Sequence, residues 1–249
     1  MVKKTSFPEK KKNKLSTFLL ILIFLIGLVL IFNKEIRYFL MRLNSNRYSH
    51  KISVKKLYNN NKSKQLFDFD AITPVSTEAV LAAQFSIQPL PIIGFIAMPD
   101  IKMKLPIFKG LSNTALLYGA GTMKEEQIMG EGNYALASHR VENPNLLFSP
   151  IQRAKKKMMI YITNLNQIFS YETKEVVRVT PDHVEVIDDF PNKKMVTLVT
   201  CNDPDAIKRV IVYGDLSKVY DFKTAPKSIL TAFDIDDTQV DWKNNPWGK

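Results

Sequence analysis

From Ile92 onward the chain is written as short apolar runs separated by turn residues, and no other feature restricts the fold as tightly. The runs are "IIGFIAMP", "IKMKLPIF", "NYALASH", "MMIYITN", "IFSYETKEVVRVT", "HVEVI", "MVTLVTC" and "KRVIVYGDL". Many alternate with period two, as a strand with one covered face does. Eight such runs argue an all-β, antiparallel barrel or sandwich. Two helical insertions are expected, near "SNTALLYGAG" and "SPIQRAKK".

A different pattern precedes the barrel-like region. "LSTFLLILIFLIGLVLIF", from Leu15 to Phe32, carries no charge over eighteen residues. At about 1.5 Å per residue that length approaches the roughly 30 Å hydrocarbon core of a bilayer. The net charge of +11 is concentrated around it: residues 1–47 hold ten Lys or Arg against Glu9 and Glu35, or +8, leaving +3 for the rest. Basic charge flanking one apolar segment fits a membrane surface and argues against nucleic acid, which calls for basic stripes on a folded domain. Six lysines precede the run, so the N-terminus is expected in the cytoplasm and the bulk of the chain outside. The "FNKEIRYFLMRLN" that follows lacks a small-residue cleavage site, so the segment reads as a retained signal anchor.

The organisation expected is a basic cytoplasmic tail over 1–14, a transmembrane anchor over 15–33 and a stalk or linker with a short helix over 34–84. A β-barrel over 85–222 and a C-terminal tail over 223–249 follow. Residues 44–65, "NSNRYSHKISVKKLYNNNKSKQ", are polar and read as a weakly ordered linker. Ser76 and Glu78 cap a short helix in "STEAVLAAQFS". The acidic tail, ending "WKNNPWGK", is expected to pack loosely or not at all.

Chemistry-bearing residues are few. One cysteine, Cys201, excludes an intramolecular disulfide framework and a cysteine-based metal site. His50, His139 and His183 show no metal-ligand spacing. A cysteine nucleophile needs thiolate character, a cationic neighbourhood, a group to protonate the leaving amine and donors for an oxyanion. Cys201 ends one apolar run, His139 ends another and Arg209 opens a third. Taken singly, each has an ordinary explanation: a small buried thiol, a structural histidine, a solvated strand end.

The motifs around them resemble those of the sortases, most closely class A. "TLVTC" at 197–201 with Arg209 and "VIVYG" resembles that family's signature, and "NYALASH" at 133–139 its histidine-bearing strand. "LPIFKG", "YGAGTM", "LFSP" and "TPDHVEVIDD" are similar to class A sequence and stand in the same order. The resemblance covers about residues 85–222. It implies a closed eight-stranded β-barrel with short helices, preceded by the transmembrane helix. It further implies a cysteine transpeptidase, with secreted proteins bearing a C-terminal LPxTG-type signal and a lipid-linked peptidoglycan precursor as partners.

By position, Cys201 would attack the Thr carbonyl, His139 would shuttle the proton and Arg209 would hold the substrate backbone or oxyanion. Val184, Val186, Val199 and Ile211, with Leu116, Met123 and Ala137, would line an apolar groove for the signal's Leu and Pro. Thr200 would hydrogen-bond substrate or oxyanion. Some class A members bind an activating calcium. Here Glu125, Glu126, Glu131, Asp188 and Asp189 give no full oxygen set and Lys124 intrudes, so no cofactor is expected. "FDFDAITP" does not match the Asp-Pro-aromatic lid of class C. Two other readings use the same residues: a thiol protease with water as acceptor, and an anchored β-domain that binds peptide or wall polymer without catalysis.

Overall fold

The computed structural model describes residues 14–50, 52–85, 89–200, 208–235 and 237–247. Helix α1 (Lys14–Ile31) has the length and apolar composition to cross a membrane, and none of its residues is buried by the rest of the chain. Phe32 N bonds Leu28 O and Ile36 N bonds Phe32 O, both at 2.9 Å, so α2 (Asn33–Arg47) carries on from α1.

The stretch after α2 departs from the linker expected. Strand β1 (Ile52–Ser53) leads into α3 (Val54–Asn61), where the Ser53 hydroxyl accepts from Lys56 N and Val54 and Leu57 are buried. Spaced i and i+3, those two residues give a mostly polar helix one apolar edge, enough to dock it. Helix α4 (Thr77–Gln84) is capped by Ser76, as its sequence implies, and lies along α2 through Asn44 Nδ2 donating to Gln84 Oε1 at 2.9 Å.

Eight strands then close a barrel: β2 (Ile92–Met98), β3 (Met103–Phe108), β4 (Ala120–Thr122), β5 (Asn133–Ser138), β6 (Met159–Thr163), β7 (Gln167–Val179), β8 (Met195–Thr200) and β9 (Arg209–Asp221). Around the barrel they run β2-β3-β4-β5-β8-β9-β7-β6. The barrel is mixed, not antiparallel throughout. β3 pairs with β4, and β5 with β8, in parallel. Parallel neighbours need a crossover. Helix α5 (Asn113–Tyr118) supplies the first, and the excursion through β6 and β7 the second.

The membership of the eight also differs. "HVEVI" forms a 3-10 turn, Val184–Ile187, with no buried residue. Both edges of β8 are already taken, by β5 and β9, so no ladder was open to it. The eighth strand is β4, three residues inside "YGAGTM". "SPIQRAKK" shortens to a 3-10 turn at Ser149–Arg153. The tail packs: α6 (Lys227–Phe233) buries Ile229 and Phe233, and β10 (Val240–Asp241) pairs parallel with β1. Trp247 meets Tyr58 edge-on at 5.2 Å, and Trp242 lies 5.9 Å from Phe222. A few well-spaced apolar and aromatic residues outweigh the polar composition around them.

Candidate active site

Alternation along three strands sorts their side chains between two faces. Tyr134 and Leu136 of β5, Val196 and Leu198 of β8, and Val210 and Val212 of β9 join the main core. Ala135 and Ala137, Val199, and Ile211 belong to a second apolar cluster with Leu111, Leu116 and Met123. Val177, Val179, Val186, Ile187, Tyr213 and Ile72 pack against that cluster half-buried. In each strand the odd-numbered residues take the second face, as the two-residue period requires.

His139 and Arg209 stand at the ends of strands carrying this parity. His139 directly follows β5, is 3% exposed, and its carbonyl accepts from Phe148 N at 3.0 Å. Burial disfavours the imidazolium and pushes its pKa down to about 4, so the ring is neutral at physiological pH. Arg209 opens β9 opposite Val179 of β7. Its Nε is buried and makes no hydrogen bond among the described residues, an unusual state for a charged donor. Between the strands bearing these two runs β8, which ends at Thr200 beside Ser138. Cys201 is next in sequence and lies outside the described residues.

Of the groove residues named from sequence, Val199, Ala137, Leu116, Met123 and Ile211 come together in the second cluster, and Val186 packs on its edge. Val184 does not join them: it is 72% exposed on the 3-10 turn. Thr200 has the opposite parity. Its buried hydroxyl accepts from Val210 N at 2.9 Å and so ties the end of β8 to β9.

The loop from β7 to β8 is anchored beside the groove. Asp189 Oδ1 accepts from Asn133 N at 2.6 Å and from Lys124 Nζ at 2.8 Å. The backbone amide, then the ammonium, hold that carboxyl below the usual range. Gly132 has φ +51°, and a Cβ there would come 2.5 Å from Asp189 Oδ1, so a side chain would push the carboxylate away. Among the described residues no cluster of three or more His, Cys, Asp or Glu is arranged to hold a metal ion.

Comparison with known proteins fits this arrangement. The family model described as "Sortase domain" matches residues 96–217. Sortase A of Streptococcus agalactiae is 49% identical over 228 residues, 89% of this chain and 92% of that protein. This chain belongs to the sortase family. Sortase A of Listeria monocytogenes is 33% identical over 200 residues, covering 80% of this sortase and 90% of its own length. The crystal structure of the Listeria protein superposes with a TM-score of 0.53 at 35% identity, over 57% of this chain and 97% of that one. These relatives assign this sortase to class A and make it a cysteine transpeptidase.

Sequence reasoning passed over Ala135, Leu111, Tyr213 and Asn133. Period two extended back from Ala137 reaches Ala135 and Asn133, and extended from Arg209 and Ile211 it reaches Tyr213. Ile72 had no such signal, because it reaches the groove from a segment with no strand of its own. Asn113 holds that segment, accepting from Thr73 N and donating to Ala71 O.

Proposed function

We infer that this sortase is anchored in the membrane by α1, with its N-terminus in the cytoplasm and its barrel outside. It cleaves an LPxTG-type signal between Thr and Gly and transfers the protein to an amine of a lipid-linked cell-wall precursor. The orientation rests on the lysines before the span. The observation that supports the site assignment is that His139 directly follows β5 and Arg209 opens β9, the two strands flanking β8, with the buried Arg209 Nε making no hydrogen bond among the described residues.

The Cys201 sulfur attacks the Thr carbonyl carbon, forming the C–S bond as the carbonyl becomes an oxyanion. Its proton passes to the His139 imidazole. The oxyanion or the adjacent substrate backbone takes the free Arg209 donor, in a charge-assisted bond worth most where water is excluded. Collapse breaks the C–N bond, and His139 returns the proton to the departing glycine amine. An incoming amine then repeats the sequence in reverse roles and releases the thiol. Val199, Ala137, Leu116, Met123, Ile211 and Val186 receive the signal's Leu and Pro. The neutral His139 supports a resting state of neutral thiol and neutral imidazole.

The deciding experiment uses the full chain in lipid nanodiscs with an LPxTG peptide, with and without a glycine-type amine. Amine-dependent ligation that Cys201→Ala abolishes is expected. Hydrolysis indifferent to the amine would mark a thiol protease, and absence of both turnover and thioester would mark a binding domain.

A further inference from the structure

Beside the groove, the 3-10 turn Val184–Ile187 buries no residue of its own, yet it presents Val186 and Ile187 to the groove cluster. Packing alone therefore holds it weakly, and its position depends on polar contacts. Two of these come from one side chain. Asn133, 1% exposed at the start of β5, donates from Nδ2 to the carbonyls of Val186 at 3.2 Å and Asp188 at 3.0 Å. Its Oδ1 accepts from the buried Thr197 hydroxyl of β8 at 2.7 Å.

The amide can sit only one way round. Main-chain carbonyls accept and never donate, so the nitrogen must face the turn, which leaves the oxygen for the Thr197 hydroxyl. The hydroxyl thus sets the amide and the amide sets the turn. All these groups lie on the groove face of the barrel, two and four residues before Ala135 and Ala137 in β5 and two before Val199 in β8.

We propose that Asn133 is a positioning residue of this sortase: with Thr197 it latches the turn bearing Val186 and Ile187 as one wall of the signal-peptide groove. It touches neither the scissile bond nor the groups that do the chemistry. The proposal rests on the groove reading above and adds to it a determinant of peptide affinity. Freeing the wall weakens binding of substrate and transition state alike, which raises KM and spares kcat.

The test measures steady-state ligation by the full chain in nanodiscs, together with the rate of tryptic cutting after Lys193 or Lys194 on the same loop. Asn133→Ala is expected to raise KM about tenfold with kcat within about twofold, and to speed cutting about fivefold. Asn133→Asp keeps the acceptor and loses both donors, so it behaves like the alanine variant or worse. Thr197→Val moves both readouts the same way by less, Thr197→Ser restores them, and the double variant is less than additive. If Asn133→Ala does not fold, the two Thr197 variants decide. Unchanged KM with unchanged cutting, or a fall confined to kcat, overturns the latch. Wild-type protein without turnover defeats the groove reading, while the cutting rates still judge whether the turn is latched.

Discussion

Strands β5, β8 and β9 each serve two apolar populations. Inside the barrel lie large side chains such as Tyr134, Leu136 and Tyr171, fully buried members of one core cluster. On the other face lie Ala135, Ala137 and Val199, small residues overlain by Leu116 and Met123 from outside the three strands. Large residues fill a space enclosed by eight strands. Small ones leave a depression that other segments cover and a peptide can enter. A slip of one residue in register would exchange the two sets, so the barrel's hydrogen bonding and the groove's shape are specified together.

The two faces predict different responses to the same kind of truncation. Leu136→Ala opens a void inside the barrel and should cost about 4 kcal/mol of unfolding free energy, measured by urea titration. Val199→Ala sits one strand away on the groove face. It should cost about 1 to 2 kcal/mol and raise KM for the signal peptide. Equal losses of stability would erase the distinction between interior and groove.

Acid sharpens the contrast, because the groove end of β5 carries a buried histidine, whereas the buried titratable group of its interior face, Tyr134, is held neutral by burial and takes up no proton in acid. Below 6.5 an unfolded imidazole takes up a proton that native His139 refuses until about 4. Protons therefore favour unfolding across that window. The His139 contribution is complete above 6.5, declines as pH falls to 4 and flattens below, on the order of 3 kcal/mol in all. His139→Asn should flatten this part of the stability profile. A variant with the slope of the wild type would mean that other groups carry it.

Next in size is Arg209→Lys. It keeps the charge but loses the planar guanidinium and its Nε donor. Ligation should fall about thirtyfold in kcat/KM with Tm nearly unchanged, since among the described residues the Nε makes no hydrogen bond that the fold would miss. A large drop in Tm would make Arg209 a structural residue of the barrel rim.

Much of this division is legible in the sequence, for a physical reason. Period two in "NYALASH", "MVTLVTC" and "KRVIVYG" assigns each residue a face before any strand is paired, which is why His139, Ala137, Val199 and Ile211 can be grouped from text alone. Partner and direction are not encoded in that period, so the parallel pairs β3–β4 and β5–β8 were illegible. "HVEVI" alternates as well as any true strand, but a strand also needs an open edge and β8 had none left. β4 was hidden for the opposite reason, its three residues being too few to show a period. The contributions of Ile72 and of the α3 and β10 segments depend on tertiary contacts that polar local composition masks. For Cys201 the sequence motif remains the guide.

The smallest effect expected is that of calcium, and it concerns how the groove wall is held. Cation sites of this kind need six to eight oxygen ligands, whereas Asp189 already accepts from a backbone amide and from Lys124. The ammonium supplies positive charge beside the loop that a divalent ion would otherwise bring. Added Ca²⁺ or a chelator should therefore change ligation by less than about twofold, since displacing Lys124 would cost a bond that the ion must replace. Lys124→Ala removes that charge and, because the pair is partly exposed, should raise KM only about twofold to threefold. Strong activation of the wild type by Ca²⁺ would show that the lysine does not fill this role, and would shift the anchoring of the wall from Lys124 and Asn133 to an ion.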